Sequence, residues 1–278
     1  MPSLQKLCAV VNGLQLPVAY RVCDDALMRW PRQAAVVAVA VSAMCLPAGC
    51  RGEPDVAGPR PIDRAGAEVL AGVLYENYLV GGADFRLTAT LPATGDTIEL
   101  DGTIDWGAHT GVATVTATGQ ESPLDQVAWN TETVYELVPA LSDELARHGV
   151  VAPGWVARPP APAARHLDGL LGLLIGLAAP QRDNPQLVAQ EPSAQSLGAA
   201  EIDGVAVDGY TYQGSTYWVG EDRRLRRLET GTQDSRRTVV IDLTALGPRS
   251  VELPQPAHVA SYADVAAPYD RAFGTNPG

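Results

Sequence analysis

Residues 85–117 read FRLTATLPATGDTIELDGTIDWGAHTGVATVTA, and apolar and polar side chains alternate along three successive runs of this stretch. The runs cover residues 85–91, 98–106 and 112–117, and short turns that contain glycine join them. A period of two residues is typical of a β-strand with one buried face. Three such runs predict an antiparallel meander with one apolar and one polar face.

The segments that flank this meander carry helix and strand signals. Before it, apolar residues recur at helical spacing through residues 63–80, and a Gly-Gly pair ends the run. After it, residues 127–137 predict strand with a central turn, and residues 140–148 predict a short helix. Four prolines in residues 152–163 predict irregular chain without a regular element.

Strand signals return after about residue 185. Five or six short runs follow, the last at Val251–Leu253, and turn formers such as Asp203-Gly204 and Asp208-Gly209 separate them. These runs predict a second antiparallel region. The tail, residues 266–278, carries no such signal, and we expect it to be disordered.

Between the two strand regions lies the segment LDGLLGLLIGLAA, residues 167–179, which is apolar on all sides when drawn as a helix. It is too short to cross a bilayer, and a helix without a polar face must be surrounded by protein. Gly169, Gly172 and Gly176 would let it lie close to another surface. The pattern predicts an α+β fold in which one strongly curved antiparallel half-barrel sheet wraps around a few helices.

Composition and charge argue against a disordered chain and against a nucleic-acid-binding protein. The chain has 278 residues, is 46% hydrophobic and carries a formal charge of −12. Such a chain can bury a core, which argues against wholesale disorder. Its acidity argues against nucleic acid as a partner, because binding to phosphate needs clustered positive charge.

The N-terminal region has the layout of an export signal. Basic residues near Met28 precede the apolar run 34–44, and Leu46-Pro47-Ala48-Gly49-Cys50 follows. A cysteine after two small residues resembles the lipobox of bacterial lipoproteins, although Pro47 stands where leucine is usual. We therefore predict a lipoprotein signal peptide at 28–50, with an ordinary cleaved signal or a buried helix as the alternatives.

This prediction divides the rest of the chain. Residues 1–27 are an upstream mis-start or an extended n-region, residues 51–62 are a tether, and residues 63–265 form the folded domain. Fatty acids such as palmitate on Cys50 would anchor the protein to the cell membrane on its extracytoplasmic side.

The strand layout with one apolar helix between two meanders resembles the LolA-like lipoprotein carrier fold, specifically the actinobacterial LppX/LprG lipoproteins. The likeness covers roughly residues 63–260 and lies in the layout more than in any single motif. The residues that carry it are Cys50, Trp155, the helix 167–178, Ile202-Asp203-Gly204-Val205, Tyr217-Trp218-Val219, residues 223–228, Val239–Leu243 and Val251–Leu253.

The resemblance implies an apolar cavity between the sheet and its helices that binds acyl chains of lipids or lipoglycans. Alternatively, the same side chains simply fill the half-barrel as core. The nine predicted lining residues are Leu87, Ala89, Leu100, Ile104, Val115, Leu170, Leu171, Leu174 and Ile175.

The sequence offers no catalytic constellation, metal motif or cofactor motif that we can name. Glu99, Asp101 and Asp105 share the polar face of one run, where a solvated surface is the simpler interpretation than a cation site. Four arginines within residues 223–227 either contact anionic lipid headgroups or form the polar face of a strand.

Three functional hypotheses follow. The first is a membrane-anchored lipoprotein that binds, and carries, a lipid or other long apolar ligand. The second is a cell-envelope interaction or regulatory module with the same fold and a filled core, whose protein partner is unknown. The third is an enzyme whose catalytic residues the sequence does not reveal. A cavity and its lining would separate them, since an enzyme requires converging titratable residues.

Overall fold

Thirteen strands hydrogen-bond into one open sheet in the computed structural model, which describes residues 58–90, 95–118, 123–231 and 238–274. The strands are β1 (Arg60–Pro61), β2 (Gly82–Thr90), β3 (Thr97–Asp105), β4 (Thr110–Ala117), β5 (Gln126–Trp129), β6 (Val134–Leu137), β7 (Trp155–Arg158), β8 (Gln195–Ile202), β9 (Val205–Tyr212), β10 (Ser215–Gly220), β11 (Leu225–Gly231), β12 (Thr238–Leu246) and β13 (Val259–Ser261).

The order across the sheet is β1-β8-β9-β10-β11-β12-β2-β3-β4-β5-β6-β7-β13. Neighbours are antiparallel, except that β13 runs parallel to β7. The two sheet ends do not meet, which fits a curved half-barrel. The fold is therefore α+β with a large, mostly antiparallel open sheet, as the alternating runs predicted.

Five helices accompany the sheet in the described residues: α1 (Arg64–Val80), α2 (Ser142–Arg147), α3 (His166–Gly176), α4 (Pro185–Gln190) and α5 (Tyr262–Ala272). The predicted helix over residues 63–80 is confirmed as α1. Its first turn is capped by Asp63, whose carboxylate accepts from the Gly66 amide at 2.7 Å. Gly81 ends it with φ of 89°, a left-handed conformation that glycine adopts without strain.

The predicted meander is confirmed as β2, β3 and β4. Leu87 pairs with Leu100, and Leu100 pairs with Val115, so the apolar alternation of all three strands faces one side. Gly102 lies in the middle of β3, where an added Cβ would come within 2.1 Å of the Val112 carbonyl oxygen. Only glycine permits this close approach of neighbouring strands.

The core joins the apolar face of the sheet to α1 and α3. Asn77 of α1 is fully buried, and its side chain donates to the Leu177 carbonyl just after α3 at 2.9 Å. The same side chain accepts from the Leu225 amide of β11 at 3.3 Å. One polar residue thus links α1, the end of α3 and the sheet.

Two predicted boundaries are wrong. Residues 266–272 belong to α5 and are not part of a disordered tail, because Ser261 caps that helix and Tyr269 is fully buried. Residues 155–158 form β7 despite the surrounding prolines, since Pro153 and Pro159 lie outside the strand and cost it no hydrogen bond.

Three smaller differences concern the second half and the tether. Residues 185–190 form α4, with Asn184 as its cap, before the strands resume at residue 195. Residues 251–253 are not a strand. The predicted tether contributes β1 at residues 60–61, which pairs with β8.

Candidate functional site

The structure brings eight of the nine predicted lining residues together in one buried apolar cluster and packs the ninth, Ile175, against it. Five of them expose no surface at all: Leu87, Ala89, Leu100, Ile104 and Leu174. Val115, Leu170 and Leu171 are buried, and Ile175 is half-buried against the cluster. Within the described residues these side chains pack as core, and the predicted cavity is not shown.

Helix α3 covers the apolar face of the sheet with only part of its circumference. Leu170, Leu171, Leu173 and Leu174 are buried, whereas Gly172 is exposed and an added Cβ there would meet nothing within 4 Å. The expectation that all sides of this helix are enclosed, with Gly172 at a close contact, is therefore wrong. Glycine at this position leaves the outer side of α3 without an exposed apolar side chain.

Helix α3 is held near its C-terminal end by backbone acceptors. The Trp106 indole Nε1 donates to the Leu174 carbonyl oxygen at 3.1 Å. The Ala179 amide, just beyond the helix, donates to the Leu74 carbonyl oxygen of α1 at 3.0 Å. These bonds give the buried Trp106 indole and the Ala179 amide an acceptor each.

A buried ionic cluster holds the other end of α3. Arg158 of β7 donates through Nη1 and Nη2 to both oxygens of Asp168 in the first turn of α3, at 2.6 and 2.7 Å. It also donates through Nε and Nη2 to Glu136 of β6, at 3.1 and 2.5 Å. All three side chains are at least 96% buried. Burial would lower the pKa of Arg158, but hydrogen bonds to Asp168 and Glu136 outweigh it and raise that pKa.

Tyr269 of α5 extends this cluster. Its hydroxyl donates to Glu136 and accepts from Arg165 Nη1 at 2.8 Å. The Arg165 guanidinium also lies 5.4 Å from the centre of the Tyr269 ring. Burial, together with the neighbouring Glu136 carboxylate, raises the pKa of the Tyr269 hydroxyl. We call Glu136, Arg158, Arg165, Asp168 and Tyr269 the Arg158 cluster.

The Arg158 cluster joins β6, β7, α3 and α5 and is balanced in formal charge. Its charged and hydroxyl groups are hydrogen-bonded to one another, and the cluster serves to position α3. Sequence reasoning missed it, although Asp168 carried a signal, as the one acidic residue in an otherwise apolar helix. A buried charge of that kind requires a partner.

Trp129 of β5 is a second buried polar residue that the sequence reasoning missed. It is 1% exposed, and its indole Nε1 has no hydrogen-bond partner among the described residues. Its ring lies on Gly111, where an added Cβ would come within 2.1 Å of Trp129 Cζ2. The Phe85 ring meets it edge to face, with the centroids 6.3 Å apart.

Several charged candidates of the sequence form ordinary surface contacts. Arg227 is paired with Asp242, and Arg226 with Asp222. Asp101 is paired with Arg86, and an Asp105 oxygen accepts from the Ala108 amide. No group of three or more His, Cys, Asp or Glu side chains that could hold a metal ion occurs in the part of the chain that the structure describes.

Two surface depressions of the described residues lie away from the predicted lining residues. One, of about 400 Å³, lies between α1 and α4 and is bordered by Arg64, Glu68, Pro185, Gln186, Ala189 and Gln190. The other, of about 150 Å³, is bordered by Ile202, Asp203, Val205, Arg226, Asp242, Leu243 and Thr244. Neither includes a residue of the predicted set.

No protein-family model matches this chain, and no curated protein matches it. Among solved structures it is similar to the crystal structure of an uncharacterized conserved protein from Thermus thermophilus, with 10% identity and a TM-score of 0.38. The likeness covers 71% of this chain and 99% of that chain.

The predicted acylation site, Cys50, lies outside the described residues, as does the signal peptide at 28–50. Of the helices in the described ranges, none combines the length and the apolarity that a membrane span requires.

Proposed function

We propose that this protein binds the acyl chains of a lipid, or another long apolar ligand, between the apolar face of the sheet and helix α3, and carries it as a membrane-anchored lipoprotein. The observation that supports the proposal most is the apolar character of this interface. Side chains from β2, β3, β4 and α3 form one apolar cluster there. The buried charged side chains Glu136, Arg158 and Asp168 are paired with one another.

Ligand entry requires α3 to move away from the sheet, because five of the predicted lining residues expose no surface. Each leucine that loses its buried contacts costs about 1.5–3 kcal/mol. A palmitoyl chain gains about 0.8 kcal/mol per buried methylene, on the order of 10 kcal/mol in all. The four buried leucines of α3 together cost about 6–12 kcal/mol, which a palmitoyl chain matches. A chain of half that length gains only about 5 kcal/mol and falls short.

The attachment of α3 permits such a movement at one end. Asp168 is tied to Arg158 by two short charged hydrogen bonds at the start of the helix. Near its end, the helix is tied by three neutral hydrogen bonds, in which the Trp106 indole, the Asn77 side chain and the Ala179 amide are the donors. Charge-assisted bonds are about twice as strong as neutral ones, so α3 would open from its C-terminal end.

Native mass spectrometry of the full chain, extracted from the membranes of cells that produce it, tests this function. We expect wild-type protein to carry lipid and the Leu174→Trp variant to carry less, because the larger ring occupies space that the ligand needs. Leu187→Trp on α4 is the matched control, since Leu187 is 53% exposed. Wild-type protein without lipid would contradict the proposal.

A second function, the cell-envelope interaction module, is favoured by the burial of the nine predicted lining residues. A filled core leaves no room for a ligand, so the partner would bind outside. Tyr78 and Leu79, adjacent and exposed at the end of α1, provide apolar surface for such a contact. Since Leu174 is fully buried, both functions expect Leu174→Trp to overpack the ligand-free core at a cost of about 1–3 kcal/mol. The lipid content of the extracted wild-type protein therefore separates the two functions, because the interaction module would carry none.

A further inference from the structure

We propose that the indole N–H of Trp129 is a ligand-binding group that donates a hydrogen bond to an ester carbonyl of the bound lipid. This inference rests on the proposed function and specifies its ligand as an acyl ester. The donor belongs to the interior of the half-barrel, yet nothing among the described residues accepts from it.

A buried N–H without an acceptor is rare in folded proteins, because the group has lost its water and gained nothing in return. Trp106 provides the comparison within this chain. Its indole is equally buried, and it donates to the Leu174 carbonyl oxygen at 3.1 Å. The two buried tryptophans thus differ in whether the indole N–H has an acceptor.

The position of Trp129 places its donor beside the predicted lining residues. Ile104 pairs with Gly111, and Gly111 pairs with Trp129, so the three residues form one row across β3, β4 and β5. Gly111 has no side chain, and the Trp129 ring fills that gap in the row. The indole therefore lies in the same row as Ile104, one of the nine predicted lining residues, with only Gly111 between them.

The same contacts keep the ring in place. Backbone of β4 lies beneath it, and Phe85 meets it edge to face. A donor held in this way is preorganised for an acceptor, because little side-chain freedom remains to be lost on binding.

The chemistry of the surroundings selects an ester. The acceptor must lie within apolar material, which a carbonyl at the head of an acyl chain does. An amide carbonyl would bring an N–H that needs its own acceptor, and an ionised group would need a charge partner. The Arg158 cluster uses its charges internally, with Arg158 bonded to both Glu136 and Asp168.

Binding of a matched lipid pair to the delipidated full chain tests the inference. The probes are dipalmitoylglycerol, which has two ester carbonyls, and dihexadecylglycerol, its ether counterpart without carbonyls. One hydrogen bond corresponds to a preference of about threefold to tenfold for the ester in the wild type. In Trp129→Phe this preference should disappear, while the affinity for the ether lipid stays the same.

Trp106→Phe is the matched control for folding, since it removes the same ring atoms and also a hydrogen bond that the structure contains. By chemical denaturation, Trp106→Phe should be the less stable of the two variants. Trp129→Phe should keep more of the wild-type stability, because the N–H that it removes has no partner in the ligand-free protein.

The outcomes separate this inference from the proposed function. If the wild type binds neither lipid, the proposed function fails. If the wild type binds both lipids equally, or Trp129→Phe keeps the ester preference, lipid binding stands and the role of Trp129 is refuted.

Discussion

Arg158 and Asp168 form a bidentate ion pair, with 2.6 Å from Nη1 to one carboxylate oxygen and 2.7 Å from Nη2 to the other. The pair connects a strand near the edge of the sheet to the first turn of an apolar helix. It sets the end about which α3 would turn if ligand displaces it. Because two N–H groups face two carboxylate oxygens, the pair fixes the orientation of the two side chains as well as their distance.

Asp168→Ala should lower the free energy of unfolding by about 3–5 kcal/mol, because it leaves the buried Arg158 guanidinium with only one of its two carboxylate partners. Chemical denaturation measures this change. Asp101→Ala is the matched control, since Asp101 pairs with Arg86 on the exposed face of the sheet. That variant should denature almost as the wild type does. Equal effects of the two substitutions would contradict the structural role of the Arg158 cluster.

Tyr269→Phe should cost about 1.5–3 kcal/mol at neutral pH, because the Tyr269 hydroxyl donates to the buried Glu136 carboxylate. The pKa of this hydroxyl is raised above its ordinary value of 10.0 by burial and by Glu136. The Tyr269 hydroxyl therefore contributes its full stabilisation of the folded protein below about pH 10. This stabilisation is lost as the pH rises from there toward the folded-state pKa.

The direction of this pH dependence can be checked by measuring the unfolding free energies of wild type and Tyr269→Phe from about pH 7 to 11. The difference between them should stay constant up to about pH 10 and then shrink. Other tyrosines titrate in both proteins and cancel in the comparison. A difference that widens above about pH 10 would mean that the folded protein favours the ionised Tyr269.

Cys50→Ala should abolish incorporation of labelled palmitate and release the protein from membranes, because the predicted lipobox ends on Cys50. Cys45→Ala is the matched control, since Cys45 follows the bulky Met44 and should be dispensable. Metabolic labelling followed by membrane fractionation measures both effects. If the label persisted in Cys50→Ala and disappeared in Cys45→Ala, the acylated residue would be Cys45 instead of Cys50.

The sequence was sufficient for the fold class where local pattern and burial agree. In β2, β3 and β4 the alternation of Leu87, Leu100 and Val115 with polar residues matches the pairing register residue by residue. Helix α1 was predictable for the same reason, because its cap at Asp63 and its end at Gly81 bound an apolar periodicity.

The sequence was insufficient where a long-range partner decides the structure. The Tyr269 hydroxyl donates to Glu136, which is 133 positions away in the chain, so no local pattern indicates that Tyr269 is buried. Trp129 and Gly111 pack together only once β4 and β5 are paired. Whether Leu174 borders a ligand or fills a core depends on packing volume, which periodicity does not report.

Leu174→Ala should lower the free energy of unfolding of the ligand-free protein by about 2–5 kcal/mol. The reason is that Leu174 exposes no surface and lies in the same cluster as the apolar face of the sheet, so truncation leaves a cavity with few ways to collapse. Leu187→Ala, on the 53% exposed leucine of α4, removes the same atoms from a surface position and should change stability by about 0.5 kcal/mol or less. Chemical denaturation of the delipidated proteins measures both. If Leu174→Ala were as mild as Leu187→Ala, α3 would not be packed against the sheet without ligand, and the half-barrel would already be open to an acyl chain.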